Sequence, residues 1–309
     1  MVLANQANTG VLITNTAGVP GGVVLEVTRK LIARGYRVTV MTDGSAGAHV
    51  ARAAGAIPAY SGILRAGEVR SMIKAANAKI VINLAPQAVN TLPTLKVAWD
   101  DRVLTEGTQA IIAAAQDAGV EYLVHTSYAY VGASVDEAVV DFTRAAAAAE
   151  KQVLRSGLSA VVLRFGFLYG NTSGAAAVRD TLKLGRGVEV GANVPVNFTY
   201  AADAAEAIVA AITNRPTGVT LNVVDDQPAT TTEFLQYFAD AQGFGLSARP
   251  AFLAALTGGG DQRLPALMHL PAHANNVEAK SALGWSPRFA NFRVGIDDLL
   301  LTWRAEEAV

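Results

Sequence analysis

The stretch Val11-Leu12-Ile13-Thr14, followed by Asn15-Thr16-Ala17-Gly18-Val19-Pro20-Gly21-Gly22, constrains this chain more than any other. An apolar strand pattern runs into a glycine-rich turn, and an amphipathic helix pattern starts at Gly22. Such a turn aims backbone N–H groups and a helix N-terminus at a pyrophosphate. The usual spacing puts glycine at positions 15, 18 and 21, and position 15 is Asn. Asn tolerates positive φ better than most residues, so the turn survives the change. It carries a side chain where the backbone ordinarily lies closest to the ligand.

Strand and helix patterns alternate beyond the turn. Strands are expected at Val11–Thr14, Arg37–Thr42, Lys79–Leu84, Tyr122–Thr126, Ala160–Phe165 and Thr220–Val224. Helices are expected at Gly22–Arg34, Gly67–Ala76, Asp100–Ala118, Asp141–Ser156 and Asp203–Thr213, with Gly35 and Gly119 as stops. Repeated strand–helix units predict an α/β chain with a parallel sheet and helices on both faces. Periodicity weakens over residues 171–200 and 227–293. The expected architecture is a Rossmann doubly wound sheet from 1–170 plus 201–226, with a smaller C-terminal substrate domain from 171–200 plus 227–309.

Composition narrows the function classes. The 309 residues are 51% apolar and 17% charged with net charge −1, and no basic stripe argues for nucleic acid or an anionic membrane. Cys is absent, which excludes disulfides, thiol nucleophiles and thiolate metal sites. Residues 1–10 lack the pattern of a signal peptide, and no apolar run is long enough to span a membrane. A cytoplasmic location is expected.

Several segments together point to a family. They include Val81-Ile82-Asn83-Leu84-Ala85-Pro86, Gly107-Thr108-Gln109, His125-Thr126-Ser127 and Leu163-Arg164-Phe165-Gly166 with Tyr169-Gly170. Further on stand Tyr200-Ala201-Ala202-Asp203-Ala204, Asn222-Val223-Val224-Asp225-Asp226 and Leu283-Gly284-Trp285-Ser286-Pro287. In this order the chain resembles the extended short-chain dehydrogenase/reductases, the NAD-dependent epimerases and dehydratases. The resemblance implies that Asn15, Gly18, Val19, Pro20 and Gly21 hold the pyrophosphate. It places Thr42 and Asp43 at the adenosine ribose and Leu84, Ala85 and Pro86 along the cofactor. NAD is the expected cofactor ahead of NADP, because the Asp43 charge disfavours a 2′-phosphate; a cofactor-free chain is the alternative. The resemblance also implies a homodimer through the 100–118 and 141–156 helices and a small-molecule substrate, a sugar or nucleotide-sugar among the options.

The departures from the family pattern cluster around the ligand. Family chemistry uses a Tyr acid/base with a Lys four residues on and a Ser that positions the substrate oxygen. Ser127 matches the Ser, but the aligned helix puts Phe142 at the Tyr and Ala146 at the Lys. Phe has no proton to transfer and Ala no charge. Ile63-Leu64 replaces the Asp-Leu beside adenine, and Leu104 replaces an Asn. Ser127, Tyr128 and Tyr130 are the candidate catalytic residues, with Tyr169 a further candidate acid. Two readings follow: an atypical NAD(P)-dependent oxidoreductase, epimerase or dehydratase, or a non-catalytic nucleotide-sensing or partner-binding protein of the same fold.

Other polar residues receive structural readings. Arg164 is expected to bind a backbone carbonyl. Asp203 with Glu206 reads as an N-capping pair, and Asp225 with Asp226 as a turn. Arg179, Lys183 and Arg186 read as a solvated face. His269 and His273 flank Pro271 without a third ligand, so no metal is expected.

Overall fold

In β1 (Gly10–Thr14), Val11 and Ile13 face one side of a sheet and Leu12 the other, and all are fully buried. A strand apolar on both parities needs helices over both faces, and this chain provides them. The computed structural model describes residues 8–14, 22–42, 44–84, 101–132, 140–186, 188–190, 194–246, 248–250 and 274–307.

The further strands of the main sheet are β2 (Arg37–Thr42), β3 (Ile57–Tyr60), β4 (Ala78–Asn83), β5 (Tyr122–Tyr128), β6 (Ala160–Phe165) and, after four short strands, β11 (Val219–Val223). The seven strands run in the order β11-β6-β5-β4-β1-β2-β3, with every neighbouring pair parallel. The order reverses between β1 and β4, the place where open α/β sheets form a binding crevice.

Helix α1 (Gly22–Ala33) covers one face, packing Val23, Val27 and Leu31 with Ile208 and Ile212 of α7 (Ala201–Asn214). The other face is covered by α3 (Ala66–Ala75), α4 (Glu106–Ala118) and α5 (Val140–Leu154), through Val69, Ile111 and Val153 among others. Gly119 ends α4 with φ 67, a left-handed conformation that glycine adopts without strain.

Within the main sheet and the helices that cover it, two elements escaped the sequence patterns. Helix α2 (Ser45–Ala53) and strand β3 lie where no element was expected, so Lys79–Leu84, third in sequence reading, is the fourth strand. Strand β3 sits at the sheet edge with Ile57 and Tyr60 exposed and Pro58 inside it. Half-buried edges show little alternation, and Pro argues against a strand. The 100–118 helix is also shorter than expected: Asp101–Val103 forms a single 3-10 turn before α4.

A second core gathers around short strands β7 (Phe167–Tyr169) and β10 (Phe198–Tyr200), which pair in parallel. Between them lie α6 (Ser173–Lys183), β8 (Val188–Val190) and β9 (Pro195–Val196). Then follow β12 (Ala229–Thr230), α8 (Thr231–Asp240), β13 (Ala248–Pro250), α9 (Val277–Leu283) and α10 (Phe292–Glu307). Phe198 stacks on Phe234 with ring centroids 4.9 Å apart, and Phe292 lies 5.5 Å from Phe234.

Gly166 joins β6 to this second core. A Cβ there would lie 2.5 Å from the Asn197 carbonyl oxygen, and that backbone is itself held by a hydrogen bond from the Phe167 N–H. Gly166→Ala is expected to destabilise the protein by roughly 1–3 kcal/mol. Urea denaturation checks this, and an unchanged midpoint would contradict the close approach.

Candidate active site at the strand ends

The carboxyl ends of β1, β4 and β5 are tied by one chain of side chains. Thr14 Oγ1 donates to Asn83 Oδ1 at 2.7 Å, and Asn83 Nδ2 lies 3.0 Å from His125 Nδ1. Thr126 Oγ1 donates to the Asn83 carbonyl at 2.8 Å. All four residues are buried. Burial lowers the His125 pKa to about 4, so the imidazole is neutral at physiological pH. Its Nδ1 accepts from the Asn83 amide, which leaves the proton on Nε2. The sequence reading used these residues as fold markers and missed the network. The available signal was a polar residue closing each of three apolar strand patterns, at Thr14, Asn83 and His125-Thr126; that the three strands are neighbours is known only from the sheet order.

This floor carries no charge, and α1 has no acidic residue in its first turn. The first turn of α1 thus brings no negative side chain to the positive end of the helix dipole, which fits an anionic pyrophosphate. Leu84 is buried beside this floor, and its N–H donates to the Thr14 carbonyl at 3.3 Å. Thr42 is buried at the end of β2, and its hydroxyl engages the Gly44 backbone at 3.2 and 3.4 Å. Asn15, Gly18, Val19, Pro20, Gly21, Asp43, Ala85 and Pro86 lie outside the described residues, as do His269 and His273.

The candidate catalytic residues come together on an apolar wall. Ser127 and Tyr128 end β5, and Tyr130 follows two residues later; all three are buried. The Tyr128 and Tyr130 rings stack at 5.1 Å, and Phe142 of α5 lies 5.1 Å from Tyr128. Phe142 is 3% exposed and Ala146 1%, and both share their cluster with Leu104. Burial, with Tyr128 alongside, pushes the Tyr130 pKa well above its usual value. Its hydroxyl has no hydrogen-bond partner among the described residues. Ile63 is buried against Gly107, so the Asp-Leu position is filled by packing.

Several structural readings of polar residues change. Arg164 pairs with a carboxylate, not a carbonyl: Nε donates to Glu150 Oε1 at 2.8 Å and Nη2 to Oε2 at 2.6 Å. Asp203 is not a cap. Tyr200 occupies the N-cap position of α7, and Asp203 Oδ2 accepts from the Phe289 N–H at 3.0 Å. Glu206 instead pairs with Lys30 and Arg34 of the α1 region. Asp225 is buried and accepts from the Tyr169 hydroxyl at 2.8 Å and the Tyr200 N–H at 3.3 Å. Tyr169, a candidate acid in the sequence, is fully buried in the second core with its hydroxyl committed to that carboxyl.

Comparison with known proteins agrees with this geometry. An NAD(P)H-binding family matches residues 18–216. A Streptomyces protein named 3-diazoavenalumate denitrifying reductase is 30% identical over 311 aligned positions, covering 93% of this chain and 98% of the relative. Among solved structures, the Thermus thermophilus UDP-glucose 4-epimerase complex with NAD superposes with TM-score 0.71 at 21% identity, covering 93% of this chain and 98% of that one. The Bacillus anthracis dTDP-glucose 4,6-dehydratase in complex with NAD superposes with TM-score 0.74 at 13% identity, covering 96% and 98%. No described helix is long and apolar enough to cross a membrane, and no described cluster of His, Asp and Glu has the makings of a metal site. With its seven-stranded parallel sheet reversing between β1 and β4, the chain belongs to the NAD(P)H-binding family and shares its fold with the solved epimerase and dehydratase structures.

Proposed function

We propose that this protein is an NAD(P)H-dependent reductase that passes hydride to a small electrophile whose reduction needs no proton from the protein. The observation that carries this reading is the apolar, buried pair Phe142 and Ala146, which the sequence aligns with the family's acid/base Tyr and Lys. Carbonyl reduction leaves an alkoxide that a positioned acid must protonate. Phe142 and Ala146 supply neither a proton nor a charge. Tyr130, its pKa raised by burial, keeps its proton and serves as wall or neutral donor.

The reduced nicotinamide supplies the hydride. An aryl diazonium cation is an acceptor of the required kind. Its ring carbon gains the hydride with its electron pair, and the C–N bond breaks with its pair leaving on N2. The product is Ar–H, with no proton taken up. The Streptomyces relative is named a denitrifying reductase of 3-diazoavenalumate, and that name supports a diazo-bearing substrate here. In this reading Tyr130, backed by the stacked Tyr128 ring and flanked by Ser127 at the strand end, forms the wall against which a planar arene lies. Asp43 favours NADH over NADPH.

The test uses the protein with 4-deuterated NADH or NADPH and an aryl diazonium salt. Expected results are N2 release, deuterium in the new C–H bond and a kcat flat between about pH 6 and 9. Turnover is expected to be faster with NADH. Tight cofactor binding with no oxidation by the diazonium, or by carbonyl acceptors, would favour the nucleotide-sensing reading. A bell-shaped kcat profile on a ketone would return the protein to ordinary acid/base chemistry.

A further inference from the structure

We propose that α6 and α10 form a second ligand site, built for the phosphate group of a small organic phosphate and separate from the strand-end crevice. A cavity of about 200 Å³ opens between these helices and the end of α8. One water needs only about 10–15 Å³ of such space. Its charged lining is Arg179 and Lys183 from α6 and Arg304 and Glu307 from α10. Three cations face one carboxylate, an excess of positive charge that matches a phosphate monoester, which carries nearly two negative charges at pH 7.

Arg179 is already posed for an anion. Its guanidinium carbon sits 4.3 Å above the Trp303 ring, and the Trp303 indole N–H donates to Asn171 Oδ1 at 3.0 Å. The stacked guanidinium keeps its fork edge for bidentate contacts. Arg179 Nη1 reaches Glu307 Oε1 at 3.3 Å, but the Glu307 side chain is 67% exposed. Such surface pairs are weak and readily displaced. The Arg179 Nε atom is buried with no hydrogen bond among the described residues, and its nearest carboxylate there is Asp180 Oδ1 at 4.0 Å, a long contact to a side chain that is 68% exposed. Lys183 lies one helical turn along α6, and Arg304 stands across from it on α10. Neither has an ion-pair partner among the described residues. Gln242 adds an amide to the lining, and Phe244, Leu300 and Trp303 add apolar surface, so the phosphate carries an organic body.

This site does not depend on the reductase reading. Calorimetric titration of the protein with phenyl phosphate is the test, run with saturating NADH so that the glycine turn is occupied. One saturable site is expected. The doubly substituted Lys183→Gln/Arg304→Gln protein is expected to bind at least about tenfold more weakly, or about 1.4 kcal/mol. Both side chains are exposed, so the melting temperature is expected to stay near that of the parent. Arg179→Lys keeps the charge but loses the fork and the stack, and is also expected to weaken binding. Non-saturating heats, unchanged affinity in the double variant, equal binding of benzoate, or binding lost once NADH is present would each overturn the site.

Discussion

Arg164→Met is expected to lower stability by about 3 kcal/mol, toward the lower end for a broken buried ion pair. The Glu150 side chain is 6% exposed and that of Arg164 22%, and two short parallel hydrogen bonds join them. Removing the guanidinium strands a carboxylate between α5 and the sheet. The partial exposure of Arg164 lets some water reach the site, which tempers the loss. The melting temperature is expected to fall by roughly 5–10 °C. The double variant Arg164→Met/Glu150→Leu is expected to recover most of this, because a buried pair replaced by apolar groups is often neutral. A single variant within about 0.5 kcal/mol of the parent would mean that water already solvates Glu150. Glu150 also lies one turn beyond Ala146 and two beyond Phe142 on α5, the helix on which the proposed function draws. Loosening α5 is therefore expected to reduce turnover alongside stability.

Stability that falls with rising pH is the second large effect. Burial holds the Asp225 carboxyl at about 7, against about 3.9 in an unfolded chain. The native state therefore binds a proton that the unfolded state has released between these values. This group's contribution is unperturbed below about pH 4, declines from there to about pH 7, and is fully lost above that. Three units correspond to an upper bound of about 4 kcal/mol. Burial raises Asp203 as well, which acts in the same direction. Asp225→Asn keeps an oxygen for the Tyr169 hydroxyl and removes the titration. Urea unfolding of parent and variant side by side isolates the group from all other carboxylates. The variant is expected to gain about 2–4 kcal/mol on the parent between pH 4 and pH 8. Parallel pH profiles would refute it.

The sequence carried the main sheet because its signal is local. Val11, Leu12 and Ile13 buried on alternate faces, the apolar stripe of α1 and the stop at Gly119 each report on a few neighbouring residues. Strand β3 and helix α2 were missed for the same reason: an exposed edge and a short helix bury too little to leave a pattern. At the candidate site, the expectation that Phe142 and Ala146 stand at the Tyr and Lys positions could be formed from sequence because the family pairs those positions within one helix. The fate of Arg164, Asp203 and Asp225 was not visible, because their partners lie on other elements.

By itself, then, the sequence determined a strand–helix alternation and a glycine-rich spacing directly after the first strand. Both are written in spacings of a few residues, where backbone geometry alone converts letters into shape. Only the tertiary structure decided that Thr14, Asn83 and His125 form one neutral floor, that Glu150 meets Arg164, and that Arg179 and Arg304 share a cavity. Thr14 and Asn83 are 69 residues apart, and Asn83 and His125 are 42. Packing two cores fixes which of many distant polar groups meet, and burial then sets their charge.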